Sequence, residues 1–141
     1  MMRWREYAIV GLLTGWFVTA AGCGVSSQPS VKGHVTLDGE AVGPGGRIVF
    51  LPQRSGEGRQ AAAAIEEGKY DIPAERGPSL GPCRVEITWA KRTGKQVPSA
   101  DPGFMMDQTR EAIPTKYNSQ SSLTVEIRPG ENVHDFRLQS R

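Results

Sequence analysis

Residues 83–90, CRVEITWA, alternate between apolar and polar side chains without a break. In an extended chain, one face of this segment carries Cys83, Val85, Ile87 and Trp89. Side chains alternate between the two faces of a β-strand, so the pattern is typical of a strand that packs one face on a core and turns the other to water. The segment therefore predicts a half-buried strand and sets the periodicity to look for elsewhere.

The same period-two alternation recurs along the chain. It is found in segments 31–37 (VKGHVTL), 47–52 (RIVFLP), 61–65 (AAAAI), 69–72 (KYDI), 122–127 (SLTVEI) and 136–138 (FRL). Asp38-Gly39 and Pro129-Gly130 predict tight turns, because glycine adopts the positive φ that such turns require. We expect an all-β fold, an antiparallel Greek-key β-sandwich of about seven strands over residues 31–141. An immunoglobulin-like or fibronectin-III-like sandwich is the alternative.

The alanine run at residues 61–64 favours a helix by propensity, but it is too short to form a stable one. We expect it to form a strand that pairs with residues 69–72 across a turn, with Tyr70 and Ile72 facing inward. Tyr117, which precedes a strand, is interpreted as pinning the chain through its hydroxyl at a corner of the sandwich, with a ligand-stacking ring as the alternative.

The first 22 residues predict an export signal. Arg3 and Arg5 precede an apolar run over residues 8–21, which is shorter than the roughly 20 residues of a membrane-spanning helix. Small residues then lead directly into Cys23. The alternative to a lipidated cysteine is cleavage by the ordinary signal peptidase, which leaves Cys23 as a free thiol.

Residues 18–23 resemble the lipobox of bacterial lipoproteins, with Ala20 at the position where leucine is usual. The resemblance implies that Cys23 carries a diacylglycerol and an acylated amino group, with palmitate as an expected acyl chain, and that it anchors the chain in a membrane. Gly24 in place of aspartate favours the outer membrane. Residues 23–30 then form the lipidated cysteine and a flexible tether, in which the seven residues after Cys23 reach about 25 Å.

Read in order, the segments VKGHVTLDGEAV, GRIVFLP, AAAAIEEGKYDI, GPSLGPCRVEITW, IPTKYN and SLTVEIRPGENVHDFRL resemble the transthyretin-like, carboxypeptidase-regulatory-like sandwich of small bacterial lipoproteins. This resemblance covers residues 31–141. It implies a non-catalytic module. From the anchor, the tether and the sandwich together, we expect the module to be held at the membrane through Cys23 and to bind a protein, polysaccharide or peptidoglycan of the cell envelope. A purely structural envelope spacer is an alternative.

The longest irregular stretch is predicted at residues 91–112, KRTGKQVPSADPGFMMDQTREA. Loops of this length are often functional, so it is the candidate ligand loop. Its candidate contact residues are Lys91, Arg92, Lys95, Phe104, Met105 and Met106. In the alternative interpretation, the apolar residues 104–106 pack over an open end of the sandwich.

Catalytic and metal-binding motifs are absent from the sequence. It has no G-x-S-x-G, H-E-x-x-H or C-x-x-C motif, so we expect neither an enzyme nor a cofactor or metal site. His34 and His134 are expected to be one solvated and one partly buried histidine, and Cys83 a small buried core residue. A minor periplasmic hydrolase that uses the histidines and loop carboxylates is the alternative. The net charge of +2 argues against nucleic-acid binding.

Overall fold

The computed structural model describes residues 28–54 and 58–141, which form two packed β-sheets. The predicted signal peptide and Cys23 lie outside these residues. The described strands are β1 (Ser30–Leu37), β2 (Glu40–Ala41), β3 (Gly46–Pro52), β4 (Ala61–Ile65), β5 (Lys69–Ile72), β6 (Gly81–Pro98), β7 (Met105–Glu111), β8 (Thr124–Ile127), β9 (Glu131–Val133) and β10 (Phe136–Leu138). Two single-turn 3-10 helices occupy Ala74–Arg76 and Thr115–Tyr117.

Strand β1 is the centre of the first sheet. One of its edges pairs antiparallel with β5 and then β2, and the other pairs in parallel with β9 and then β10. Val31 lies opposite Asn132 and Val35 opposite Phe136, so β9 and β10 keep one register and form a single edge interrupted at residues 134–135. The first and last strands are therefore neighbours.

In the second sheet the order is β4-β3-β6, and β6 pairs on its other edge with β8 near its start and with β7 near its end. The two sheets thus hold three and four strand positions, because short strands share a position along β1 and along β6. The predicted β-sandwich is confirmed, and its pairing is antiparallel except along the β1 edge that carries β9 and β10.

The core lies between the sheets, and the predicted inward faces form it. The fully buried side chains include Val31, Val35, Ile48, Phe50, Val85 and Ile87, and Cys83 is buried with them. Tyr70 and Ile72 also face inward, as predicted. Tyr117 accepts a hydrogen bond from the backbone N–H of Gln139 at 3.3 Å, which confirms the predicted pinning role of its hydroxyl. The Asp38-Gly39 turn between β1 and β2 has φ values of 50° and 83°, as a two-residue hairpin turn requires.

The predicted pairing of the alanine strand was wrong. Strand β4 pairs with β3 and β5 pairs with β1, and the two meet only at the Glu66–Lys69 bridge. Glu67 and Gly68 take positive φ values of 50° and 76° in the turn between them. The strands then diverge into different sheets, because both must turn their apolar residues towards the same core.

The predicted irregular loop at residues 91–112 was also wrong. Strand β6 continues to Pro98 and β7 returns from Met105, so most of this stretch is a two-stranded ribbon. Almost all of its side chains are exposed, including residues 104–106, so these do not pack over the sandwich. A ribbon with water on both faces needs no alternation of apolar and polar residues, which is why the period-two pattern stops at Trp89.

Candidate functional site: the β6–β7 arm

We call the ribbon of residues 90–111 the arm. Its two strands pair from Ala90 opposite Glu111 to Pro98 opposite Met105, and no third strand of the described residues joins them. At about 3.3 Å per residue, the partner strand from Glu111 to Met105 extends about 20 Å, and the two extra residues of β6 are taken up at the register shift between Arg92 and Gln96. An isolated two-stranded hairpin is only marginally stable in water. The arm therefore depends on the contacts at its base.

Glu111 holds the two strands together where they leave the sandwich. One of its carboxylate oxygens accepts hydrogen bonds from the backbone N–H groups of Trp89, at 2.9 Å, and Ile113, at 2.8 Å. The N–H of Ala112 donates to the carbonyl of Trp89 at 2.9 Å. A single carboxylate thus bridges the outgoing and the returning strand, and charge-assisted bonds of this kind are stronger than neutral ones.

Trp89 and Lys91 brace the base against the rest of the sandwich. The buried indole of Trp89 donates through Nε1 to the carbonyl of Pro44 at 3.2 Å. The Nζ of Lys91 lies 4.6 Å from the centre of the Trp89 ring and bonds both carboxylate oxygens of Glu40, at 2.7 and 2.9 Å. Exposed ion pairs contribute at most about 1 kcal/mol, so the brace fixes direction more than it adds stability.

The tip of the arm is apolar. Phe104 is 70% exposed, Met105 56% and Met106 53%. The turn before them is ordered by backbone hydrogen bonds, because the N–H of Ser99 donates to the carbonyl of Phe104 at 2.9 Å. Large apolar side chains grouped on an exposed surface mark interaction sites, and methionine adapts its shape to different partners.

The three predicted cationic residues are spread along the arm and do not join the tip in one pocket. Lys91 is part of the base, and Arg92 pairs with Asp107 across the strands at 3.2 Å. Lys95 follows Gly94, whose φ is 81°, at the register shift between Arg92 and Gln96. All six predicted contact residues therefore lie on the arm, but only the three apolar ones lie together at its tip, where each is exposed.

The arm leaves the sandwich at the end opposite to Ser30. The backbone of Gly77, shortly before β6 begins, lies against the carbonyl of Pro29 at the start of β1. Lys91, where the arm begins, bonds Glu40, which follows the end of β1. Strands β1 and β6 therefore run in the same direction. Because β6 runs from Gly81 to Pro98 with two residues taken up at its register shift, the arm tip stands roughly 50 Å from the end at which the chain enters β1.

A second group of polar residues surrounds the break between β9 and β10. The Oδ1 of Asp135 accepts a hydrogen bond from the backbone N–H of His34 at 2.8 Å and lies 3.3 Å from its Nδ1. The backbone bond from His34 is the main cause that lowers the pKa of Asp135. None of the hydrogen bonds of His34 or His134 in the described residues reaches a carboxylate of the arm.

His134 is partly buried and His34 is exposed, as predicted. The Nε2 of His134 is buried without a hydrogen-bond partner among the described residues, and burial lowers the pKa of its ring. The Tyr70 hydroxyl donates to the His134 carbonyl at 2.7 Å, reaching across Gly33, which lies opposite Tyr70. A Cβ on Gly33 would overlap that carbonyl oxygen, so the position requires glycine.

An open cleft of about 1260 Å³ runs beside this cluster. The residues that line it include Lys32, His34, Ala62, Ala64, Asp71 and Asp135. Within residues 28–54 and 58–141, no three His, Cys, Asp or Glu side chains come together as a metal site would require.

Three residues that organise these sites escape prediction from sequence. Glu111 contacts Trp89 across 22 positions, Glu40 contacts Lys91 across 51, and Asp135 contacts His34 across 101. Each is a single carboxylate in a polar stretch, and nothing in the local pattern distinguishes it from a solvated surface residue. The adjacency of first and last strands was the only available indication for the His34–Asp135 pair.

No helix among the described residues is long and apolar enough to cross a membrane. Comparison of the chain with protein-family models, with curated proteins and with solved structures finds no match.

Proposed function

We propose that this chain is a non-catalytic, exported lipoprotein that is anchored through Cys23 and presents its arm to a partner protein at the cell envelope. The observation that carries the proposal is the arm itself, a ribbon that is braced at its base and ends in exposed Phe104, Met105 and Met106. An apolar tip on a directed support suits docking into a pocket of another protein.

The end of the sandwich at which the chain enters β1 lies opposite to the arm. The lipobox-like residues 18–23 and a tether that reaches about 25 Å keep the start of β1 near the membrane. The tip then stands roughly 50 Å farther out, so its partner is engaged away from the anchoring membrane surface. The resemblance to transthyretin-like lipoprotein domains agrees with a non-catalytic role.

A protein partner fits the tip better than a polysaccharide or peptidoglycan. Sugar recognition needs polar groups that pair with hydroxyls, whereas the three exposed residues of the tip carry no hydrogen-bonding side chain apart from weak thioether acceptors. Aromatic and methionine side chains are enriched at the centres of protein–protein interfaces.

Site-specific photocrosslinking in cells tests this function. A photoreactive residue at position 104 or 106 should give a discrete protein adduct, and one at Val133, which is also exposed at 58% but lies on the sandwich, should not. The variant Phe104→Ser/Met105→Ser/Met106→Ser should lose the partner while Val133→Ser keeps it. The absence of an adduct at the tip, or a tip variant that retains the partner, would reject the proposal.

The anchor is tested separately. Intact mass of the mature protein should show a lipid-sized addition at Cys23, and Cys23→Ser should move the protein out of the membrane fraction. An unmodified wild-type protein in the soluble fraction would reject the anchor and leave the arm proposal to stand on crosslinking alone.

A further inference from the structure

We propose that two copies of this chain associate through the free edge of β4 and form a two-fold symmetric, continuous sheet. The inference does not rest on the proposed function, because it involves neither the arm nor Cys23. Its basis is the direction of the backbone groups in β4, the absence of charge from that strand, and the register in which it can pair with itself.

The backbone groups of Ala62 and Ala64 point away from β3. Glu66 exchanges backbone hydrogen bonds with Lys69 of β5, at 2.9 and 2.8 Å, on the side of β4 opposite to β3. Backbone groups alternate in direction along a strand, so those of Ala62 and Ala64 face the same side as those of Glu66. No strand of the described residues pairs with them there, and the cleft runs along this edge.

Strand β4 lacks the features that usually protect an edge. Natural edge strands carry charged residues or proline that discourage pairing with a second chain. β5 follows this rule with exposed Lys69 and Asp71, whereas β4 is AAAAI, and Ala62 and Ala64 turn only methyl groups outward. Small side chains let another backbone approach closely.

The edge is complementary to itself. In an antiparallel pair centred on Ala63, Ala62 of each copy lies opposite Ala64 of the other, and these are the residues whose backbone groups are free. Each such pair exchanges two N–H···O bonds. In the same register Ala61 of each copy lies opposite Ile65 of the other, so the paired segment carries no charge, and it ends before Glu66, whose backbone is already bonded to Lys69.

The association should be weak in solution. A pair of five-residue strands buries less than the roughly 1,200–2,000 Å² of a stable interface. We therefore expect a monomer–dimer equilibrium that appears only at high protein concentration in detergent.

Two double variants at the same two positions test the register. Ala62→Lys/Ala64→Lys places like charges directly opposite across the symmetry axis and should weaken dimerisation at least about tenfold. Ala62→Lys/Ala64→Glu places opposite charges there and should leave the dissociation constant within about threefold of wild type or lower it. The side chains of Ala62 and Ala64 are exposed, so neither double variant should change the fold.

The measurement is sedimentation velocity of the full chain in detergent from about 5 to 500 µM, with native mass spectrometry to count the copies. Ala64→Pro, which removes one outward N–H and leaves the ladder with β3 intact, should also weaken the dimer. A wild type that stays monomeric throughout overturns the proposal. A dimer that persists equally in Ala62→Lys/Ala64→Lys also overturns the proposal. If that dimer is then lost in Phe104→Ser/Met105→Ser/Met106→Ser, the two copies associate through the arm.

Discussion

Replacing Glu111 by alanine should release the arm from the sandwich without unfolding the protein. The carboxylate is the acceptor for the N–H groups of Trp89 and Ile113, at 2.9 and 2.8 Å. Hydrogen bonds to a charged group contribute about 1.5–3 kcal/mol each, but water can reach these groups once the side chain is gone. We expect a loss of about 2 kcal/mol in the stability of the closed base. Glu111→Gln keeps an oxygen acceptor and should lose about half as much.

Hydrogen exchange distinguishes local opening from global unfolding. A loss of about 2 kcal/mol corresponds to roughly 30-fold faster exchange, and it should be confined to amides of the arm, such as those of Lys91 and Arg110, which form a hydrogen-bonded pair of the ladder. Amides of β3, such as that of Ile48, should exchange at the wild-type rate. Unchanged arm exchange in Glu111→Ala would refute the role of this carboxylate, and equal acceleration in β3 would show that it supports the whole fold.

Two further predictions concern the break between β9 and β10. Gly33→Ala should lower the free energy of unfolding in urea by about 3 kcal/mol, because the new Cβ overlaps the His134 carbonyl. The control Gly39→Ala meets no atom and is strained only by its φ of 83°, so it should lower that free energy by about 1 kcal/mol. Equal losses in the two variants would contradict the overlap at Gly33. Because burial lowers the pKa of His134, the unfolded chain binds its proton first, and stability should fall as the pH drops from 7.5 to 5. His134→Gln should reduce this loss of stability, and an unchanged pH dependence would show that the His134 ring does not cause it. The lowered pKa of Asp135 affects stability only below about pH 4, outside this range.

The strands of the sandwich were predictable because each has one face in the core and one in water. That environment imposes the alternation seen in residues 31–37 and 83–90, and the turn at Asp38-Gly39 needs only its own two residues. Strand β4 was predictable as a strand but not in its partner, because alanine fits a strand between any neighbours and carries no information about which one it pairs with.

The candidate site was predictable only in its composition. The six residues chosen in the stretch 91–112 all lie on the arm, yet the arm was expected to be irregular. A ribbon in water on both faces leaves no hydrophobic pattern, and its order comes from backbone pairing and from the Glu111 contacts at its base.

The sequence by itself determined the all-β class, the inward residues and the segment that carries the exposed apolar residues, since these follow from local periodicity and composition. Tertiary structure alone decided which strands pair, where the arm points and which carboxylates meet Trp89, Lys91 and His34. Those contacts join residues far apart in the chain, and their partners are selected by the packing of two sheets on one core.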